Sequence, residues 1–481
     1  MLVTPENANF LAYIALCSWP FVALALFFTV PLRWACALTL IGGEMFLPPL
    51  FSIRVSGLPA IDKDLVASLS AILGCLIVKP RVLLRRSKSA RGYFGFIVLL
   101  IAGAFMTIMT NRDSLLAGRI VKAGLTMSDF FAMAVHDLVY WWPAFFIGMK
   151  VFSRTEDLKT LFTALAIGGV IYSFCVFLEI RLSPQLNNWT YGYSQALIGM
   201  AKRGDSFRPV VYMRHGLNVA LFLAACVLAT TGLARARVSI LGLPAWAFAL
   251  YLTIVLVACR SAGAIFYVAA LVPTLLWMPA RWQKRLAITI AGLVVFYPLL
   301  RFLDLIPVDS IVNFFTATAG EERAGSLAFR LTNERALLVK AALRPWFGWG
   351  GWGRQFPYSI WGKLAIPDGE WIVVLGESGA VGFLGIFGLL LLPIFRFARK
   401  RLSQEASGPA RFLGATALFI SVAFVFDLLP NAGMAPYLLL IVGALAGAEE
   451  EARTSSPGAL GAHFVVTEVP PHYRGPARSP S

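Results

Sequence analysis

Uncharged apolar runs alternate with short segments that collect the charges, prolines and glycines, and this alternation governs the chain from residue 10 to residue 448. An α-helix needs about 20 apolar residues to cross a hydrocarbon layer roughly 30 Å thick. The runs predict membrane spans near 10–30, 34–51, 64–79, 93–110, 129–150, 159–180, 212–232, 244–259, 262–279, 286–303, 371–396, 411–428 and 434–448. The count is thirteen, or twelve if one of the first two is re-entrant. Segments such as Leu286–Leu300 do not alternate polar with apolar, which excludes a transmembrane β-barrel. The first run lacks a basic leader and a small-residue cleavage site, so it reads as a span and not as a cleaved signal. The expected fold is therefore all-α: a polytopic transmembrane helical bundle over 1–448, one large extracytoplasmic loop at 305–370 containing an amphipathic helix, and a disordered cytoplasmic tail at 449–481.

Composition agrees. Of 481 residues 58% are hydrophobic and 14% charged, against about 25% charged in soluble domains, and the mean hydropathy is +0.73. The net charge of +17 would point to nucleic acid in a soluble protein. Here the basic residues sit between spans, so the partners expected are phosphates of lipid headgroups or of a phosphorylated substrate. All six cysteines fall inside apolar runs without a CxxC pair and read as small buried hydrophobes, with no metal site. The stretch from Lys79 to Arg91 carries six basic residues and no acid, which anchors it in the cytoplasm. Alternation from that anchor leaves twenty basic residues in the short inside loops and eleven in the outside loops other than the long one, with the N-terminus outside.

Two outer segments are long, Arg181–Val211 and Leu305–Glu370. In the second, Leu327, Leu331, Leu338 and Ala342 recur at helical spacing while Arg323 and Arg330 share a face, which predicts an amphipathic helix ending at Pro345. Trp346, Trp349 and Trp352 then suit the headgroup zone. An arginine fork matches phosphate oxygens two at a time and stays charged, so a set of outer arginines suits a lipid-linked diphosphate. The plainer reading of any one outer arginine, and the commoner one, is a snorkelling anchor or a local pair such as Arg330 with Glu334. Arg260 resists that plainer reading, because it stands between two spans with no acidic neighbour in sequence.

At these residues the chain resembles the O-antigen ligase and O-antigen polymerase superfamily of bacterial envelope glycosyltransferases. The resemblance covers roughly residues 205–395. It rests on Arg214 with Gly216 opening a span, Arg260-Ser-Ala-Gly-Ala, the large outer loop with Arg330 and Pro345-Trp-Phe-Gly-Trp-Gly, and Glu377-Ser-Gly-Ala-Val-Gly leading into the next span. Two features depart from the family pattern: Asp368-Gly-Glu-Trp371 stands where a His-Asn pair is usual, and Arg260-Ser261 reverses a Ser-Arg order. The resemblance implies metal-independent transfer of a glycan from a polyprenyl diphosphate carrier to an acceptor hydroxyl, at the outer face of the bacterial inner membrane and without a cofactor. Other polysaccharide-assembly proteins are implied partners, and a polymerase is favoured over a ligase. The diphosphate candidates are Arg214, Arg260 and Arg330, with Arg208 and Arg323 in reserve; the candidate bases are Asp368 and His215. A transporter or flippase for a lipid-linked or anionic substrate is the alternative, suggested by Gly42-Gly-Glu44 and His136-Asp137 within spans. No Walker-type run suggests ATP coupling.

Overall fold

The computed structural model describes residues 8–454 apart from 55–59, 85–87, 118–119, 196–200, 204–205, 359–363 and 405–407. The described chain is helical, with four small antiparallel hairpins. Its helices are α1 (Phe10–Thr29), α2 (Leu32–Phe46), α3 (Lys63–Val78), α4 (Pro80–Leu84), α5 (Lys88–Met109), α6 (Met127–Val151), α7 (Leu158–Leu182), α8 (Leu186–Tyr191) and α9 (Gly216–Arg235). There follow α10 (Ala245–Ala258), α11 (Ala262–Trp277), α12 (Ala280–Phe302), α13 (Val308–Ala319), α14 (Glu321–Ala342), α15 (Glu370–Gln404), α16 (Pro409–Asp427) and α17 (Pro436–Thr454). Every predicted span falls on one of these helices. Among the described residues eight are long and apolar enough to cross a membrane, and α10, α11 and the apolar part of α17 are shorter apolar helices. The chain is an all-α polytopic bundle.

The remaining two predicted spans, α2 and α3, are short and carry charge. Glu44 on α2 and Lys63 at the start of α3 are both buried, and their charges meet at 3.1 Å. A lone charge there would carry a desolvation cost of several kcal/mol, so each charge is buried only in the company of the other. The core is built around α9, buried along most of its length among α7, α10 and α16. On α17, Gly443 and Gly447 let the backbone of α6 approach so closely that a Cβ at either would lie 2.0 and 2.3 Å from a carbonyl oxygen of α6. Small residues at such spacing substitute van der Waals contact for the hydrophobic drive that lipid does not supply. The outward faces of α1 and α12 show Phe10, Phe21, Phe28, Phe296 and Phe302, as a perimeter bathed in acyl chains would.

Helix α15 is broken. Gly379 adopts φ 63°, ψ −163°, and the segment from Pro345 to Gly350 docks into the gap. Ala380 N donates to Pro345 O (2.7 Å), Val381 N to Trp346 O (3.1 Å) and Gly350 N to Glu377 O (2.8 Å), so groups freed by the break are satisfied from the loop. The approach needs glycine on both sides: a Cβ on Gly379 would sit 2.4 Å from the Trp346 carbonyl carbon, and one on Gly348 2.5 Å from that of Glu377. The long segment between α12 and α15 is thus two helices, α13 and α14, followed by a docked tryptophan-rich turn. The expected amphipathic helix is α14. It is tied to α12 by a pair at 2.6 Å between the buried Arg301 and the partly buried Glu334, with the Tyr297 hydroxyl donating to the same carboxylate.

Basic residues assigned to the inside gather at one end of the bundle. Arg33 pairs with Asp157 (2.8 Å), the Arg235 guanidinium donates to Leu276 O and lies over Phe412, and Lys284 donates to Arg399 O. At the chain end, α17 continues to Thr454, beyond the boundary expected at 448; the rest of the tail, 455–481, lies outside the described residues.

Candidate functional site

At the opposite end four helix termini meet, those where α9, α15 and α17 begin and α16 ends. The entry to α9 is set by Glu179 near the end of α7. Its carboxylate accepts from Val210 N (2.8 Å), Val211 N (2.7 Å) and Leu186 N (3.1 Å), pinning the segment that precedes Arg214. His215 then caps α9, its Nδ1 accepting from Leu217 N at 3.2 Å. The Arg208 side chain lies across the first turn, 2.6 Å from where a Cβ on Gly216 would stand.

Arg214 reaches back to the start of α3, 2.6 Å from Asp64 and 3.2 Å from Asp62. The carboxylates, Asp64 foremost, raise the guanidinium pKa above its ordinary value, so its charge is permanent. Asp62 is pushed upward by burial and by Asp64, with Arg214 opposing. A cavity of about 360 Å³ opens here, lined by Asp62, Asp64 and Arg214 together with His136 and Tyr140 of α6 and Glu370 at the start of α15. The His136 and Tyr140 rings stack at 4.2 Å.

Glu370 is anchored by Gly433 N, which donates to its Oε2 at 3.1 Å, while Glu370 N donates to Leu428 O at 3.0 Å. Two residues earlier Asp368 faces Arg330 of α14, Nε to Oδ2 3.9 Å, with both side chains about one-third exposed. Burial raises the Asp368 pKa, and the Arg330 charge works against that rise. Alongside, Asp427 at the end of α16 accepts from the Tyr267 hydroxyl (2.8 Å) and from Asn431 Nδ2 (2.9 Å).

The fold thus brings Arg214, Arg330 and Asp368 to the two flanks of one short segment, 368–370. Arg260 stands apart from the cavity lining, in the turn between α10 and α11, exposed and with φ 52°. The Arg323 side chain lies outside the described residues. The local pair Arg330–Glu334 does not form, because Glu334 is taken by Arg301 and Arg330 by Asp368. Asp62, Asp64, Tyr140 and Glu370 were not singled out from sequence. Only Glu370 left a trace there, as part of the Asp368-Gly-Glu segment. Among the described residues no group of three His, Cys, Asp or Glu side chains is placed to hold a metal ion.

These features define a multi-pass helical membrane protein with a charged cavity and flanking arginines at one end of its bundle. No protein-family model matches the chain, and no curated protein matches it.

Proposed function

We propose that the protein is a membrane glycosyltransferase that moves a glycan from a polyprenyl diphosphate carrier to an acceptor hydroxyl at the outer face of the bacterial inner membrane, as a polymerase in preference to a ligase. The observation that carries this reading is the approach of Arg330 to Asp368 beside the cavity that holds Arg214. In the reaction the acceptor oxygen attacks the anomeric carbon, the bond from that carbon to the diphosphate oxygen breaks, and the hydroxyl proton passes to a base. The leaving diphosphate needs neutralisation as charge develops on it, which arginines supply without reorganisation. One displacement inverts the anomeric centre.

Asp368 suits the base better than His215. A neutral imidazole that accepts at Nδ1 carries its proton on Nε2, so the cap to Leu217 leaves His215 a donor where a base must accept. A carboxyl raised by burial stands nearer the working pH, where a base is most effective. Arg260, in the turn between α10 and α11, remains a proposed diphosphate ligand. Arg260→Ala should abolish transfer at unchanged abundance, and near-normal transfer would remove it from the site.

A transporter or flippase is the second reading. It is favoured by ionisable groups within the bundle, Glu44 with Lys63 and His136 with Asp137, and by the break in α15. The lipid-linked glycans of a deletion strain separate the readings. Single repeat units accumulating at the outer leaflet are expected of a lost polymerase, long chains there of a lost ligase, and units held at the inner leaflet of a lost flippase.

A further inference from the structure

We infer that the corner where α14 ends seats the phosphate of an anionic membrane phospholipid. Two cations converge there on one indole: Lys340 Nζ lies 3.6 Å from the Trp349 ring centroid and the Arg344 guanidinium carbon 4.5 Å from it. The ring is held, because Trp349 Nε1 donates to Lys340 O at 2.8 Å. Beneath it Arg354, 2% exposed, donates to Trp349 O (3.3 Å), Ala123 O (2.5 Å) and Asp113 O (3.1 Å). Lys122 donates to Trp352 O at 3.3 Å, and Arg344 to Thr110 O.

None of these four cations has a carboxylate within ion-pair distance among the described residues. Asp113 and Asp129 act on Arg354 from farther away, and the Asp129 carboxylate is already engaged by Thr126. Positive charge is therefore crowded, with no carboxylate paired directly to it among the described residues. Burial, then Arg344 and Arg354, depress the Lys340 pKa, the direction that a seated phosphate would reverse. Arg344 has five N–H donors and Lys340 three, so most remain for a phosphate after these contacts. The source of that phosphate follows from the flank: Val339, Leu343 and Trp346 are 62%, 69% and 66% exposed beside the cations. Such a rim places an acyl chain against apolar side chains and its headgroup against the charges. The corner lies ten residues along α14 from Arg330, about 15 Å at the helical rise, so it stands apart from the proposed glycan site.

The test uses the full chain, delipidated in detergent, with native mass spectrometry after addition of phosphatidylglycerol, phosphatidylcholine or inorganic phosphate. Wild type should retain phosphatidylglycerol in preference to phosphatidylcholine. Lys340→Gln/Arg344→Gln should weaken that retention about 30-fold, at roughly fivefold per cation. Arg335→Gln, from an exposed pair with Asp304, should leave it unchanged. Should the double variant not fold, Lys122→Gln should still lose about fivefold. Equal retention by wild type and the variant that folds would overturn the inference. So would equal retention of the two lipids, or displacement of the lipid by inorganic phosphate alone.

Discussion

Asp368 and Arg330 are 3.9 Å apart, and what each does depends on the other. With its pKa raised above the ordinary aspartate value of about 3.9, Asp368 is ionised, and able to accept a proton, only above that raised value. Transfer should therefore fall as pH drops through it. Arg330→Gln removes the opposing positive charge, so the acid limb should move to still higher pH; a limb that stays in place would exclude Asp368 as the titrating group. Asp368→Asn should lower the rate about 10²–10⁴-fold with unchanged protein abundance, whereas His215→Ala should chiefly loosen the α9 cap, costing about 1 kcal/mol of stability. Parallel transfer assays and thermal melts in detergent separate the two. At this scale the candidate residue types were readable, since arginine forks and lone carboxyls are visible in a string of letters. Their partners were not: Arg330 chose a residue 38 positions away over one at the next helical turn.

Elements carry a different set of consequences. The break in α15 rests on a glycine whose φ 63°, ψ −163° is a conformation that side chains resist, so Gly379→Ala should destabilise by on the order of 1–3 kcal/mol from backbone strain alone. The overlap with the Trp346 carbonyl carbon adds to this. Gly292→Ala, in α12 with open space around it, should instead be neutral or stabilise by up to about 1 kcal/mol. A melting-temperature comparison checks both, and equal effects would mean that the docked turn does not depend on the break. For α2 and α3, Lys63→Met leaves Glu44 buried and unpaired, which should cost about 3–5 kcal/mol. Lys63→Met/Glu44→Leu should recover most of it, and the recovery distinguishes loss of pairing from loss of shape.

For the whole molecule, hydropathy alone dictated the helical bundle and the order of its spans. The demand that a chain in hydrocarbon satisfy its own backbone is local, and each run of apolar residues answers it independently. The basic bias likewise marked which loops share an end, and Arg33, Arg235 and Lys284 do meet partners at one end. Long-range contacts alone decided which charges meet. Asp62 and Asp64 hold a guanidinium some 150 residues later, Glu179 pins the entry to α9, and a tryptophan-rich turn fills a gap in a helix that reads in sequence as one continuous run. A buried charge takes whichever opposite charge packing brings within about 4 Å, and packing is a property of helices far apart in the chain. Periodicity carries no record of that distance, so the cavity came into view only with the assembled bundle.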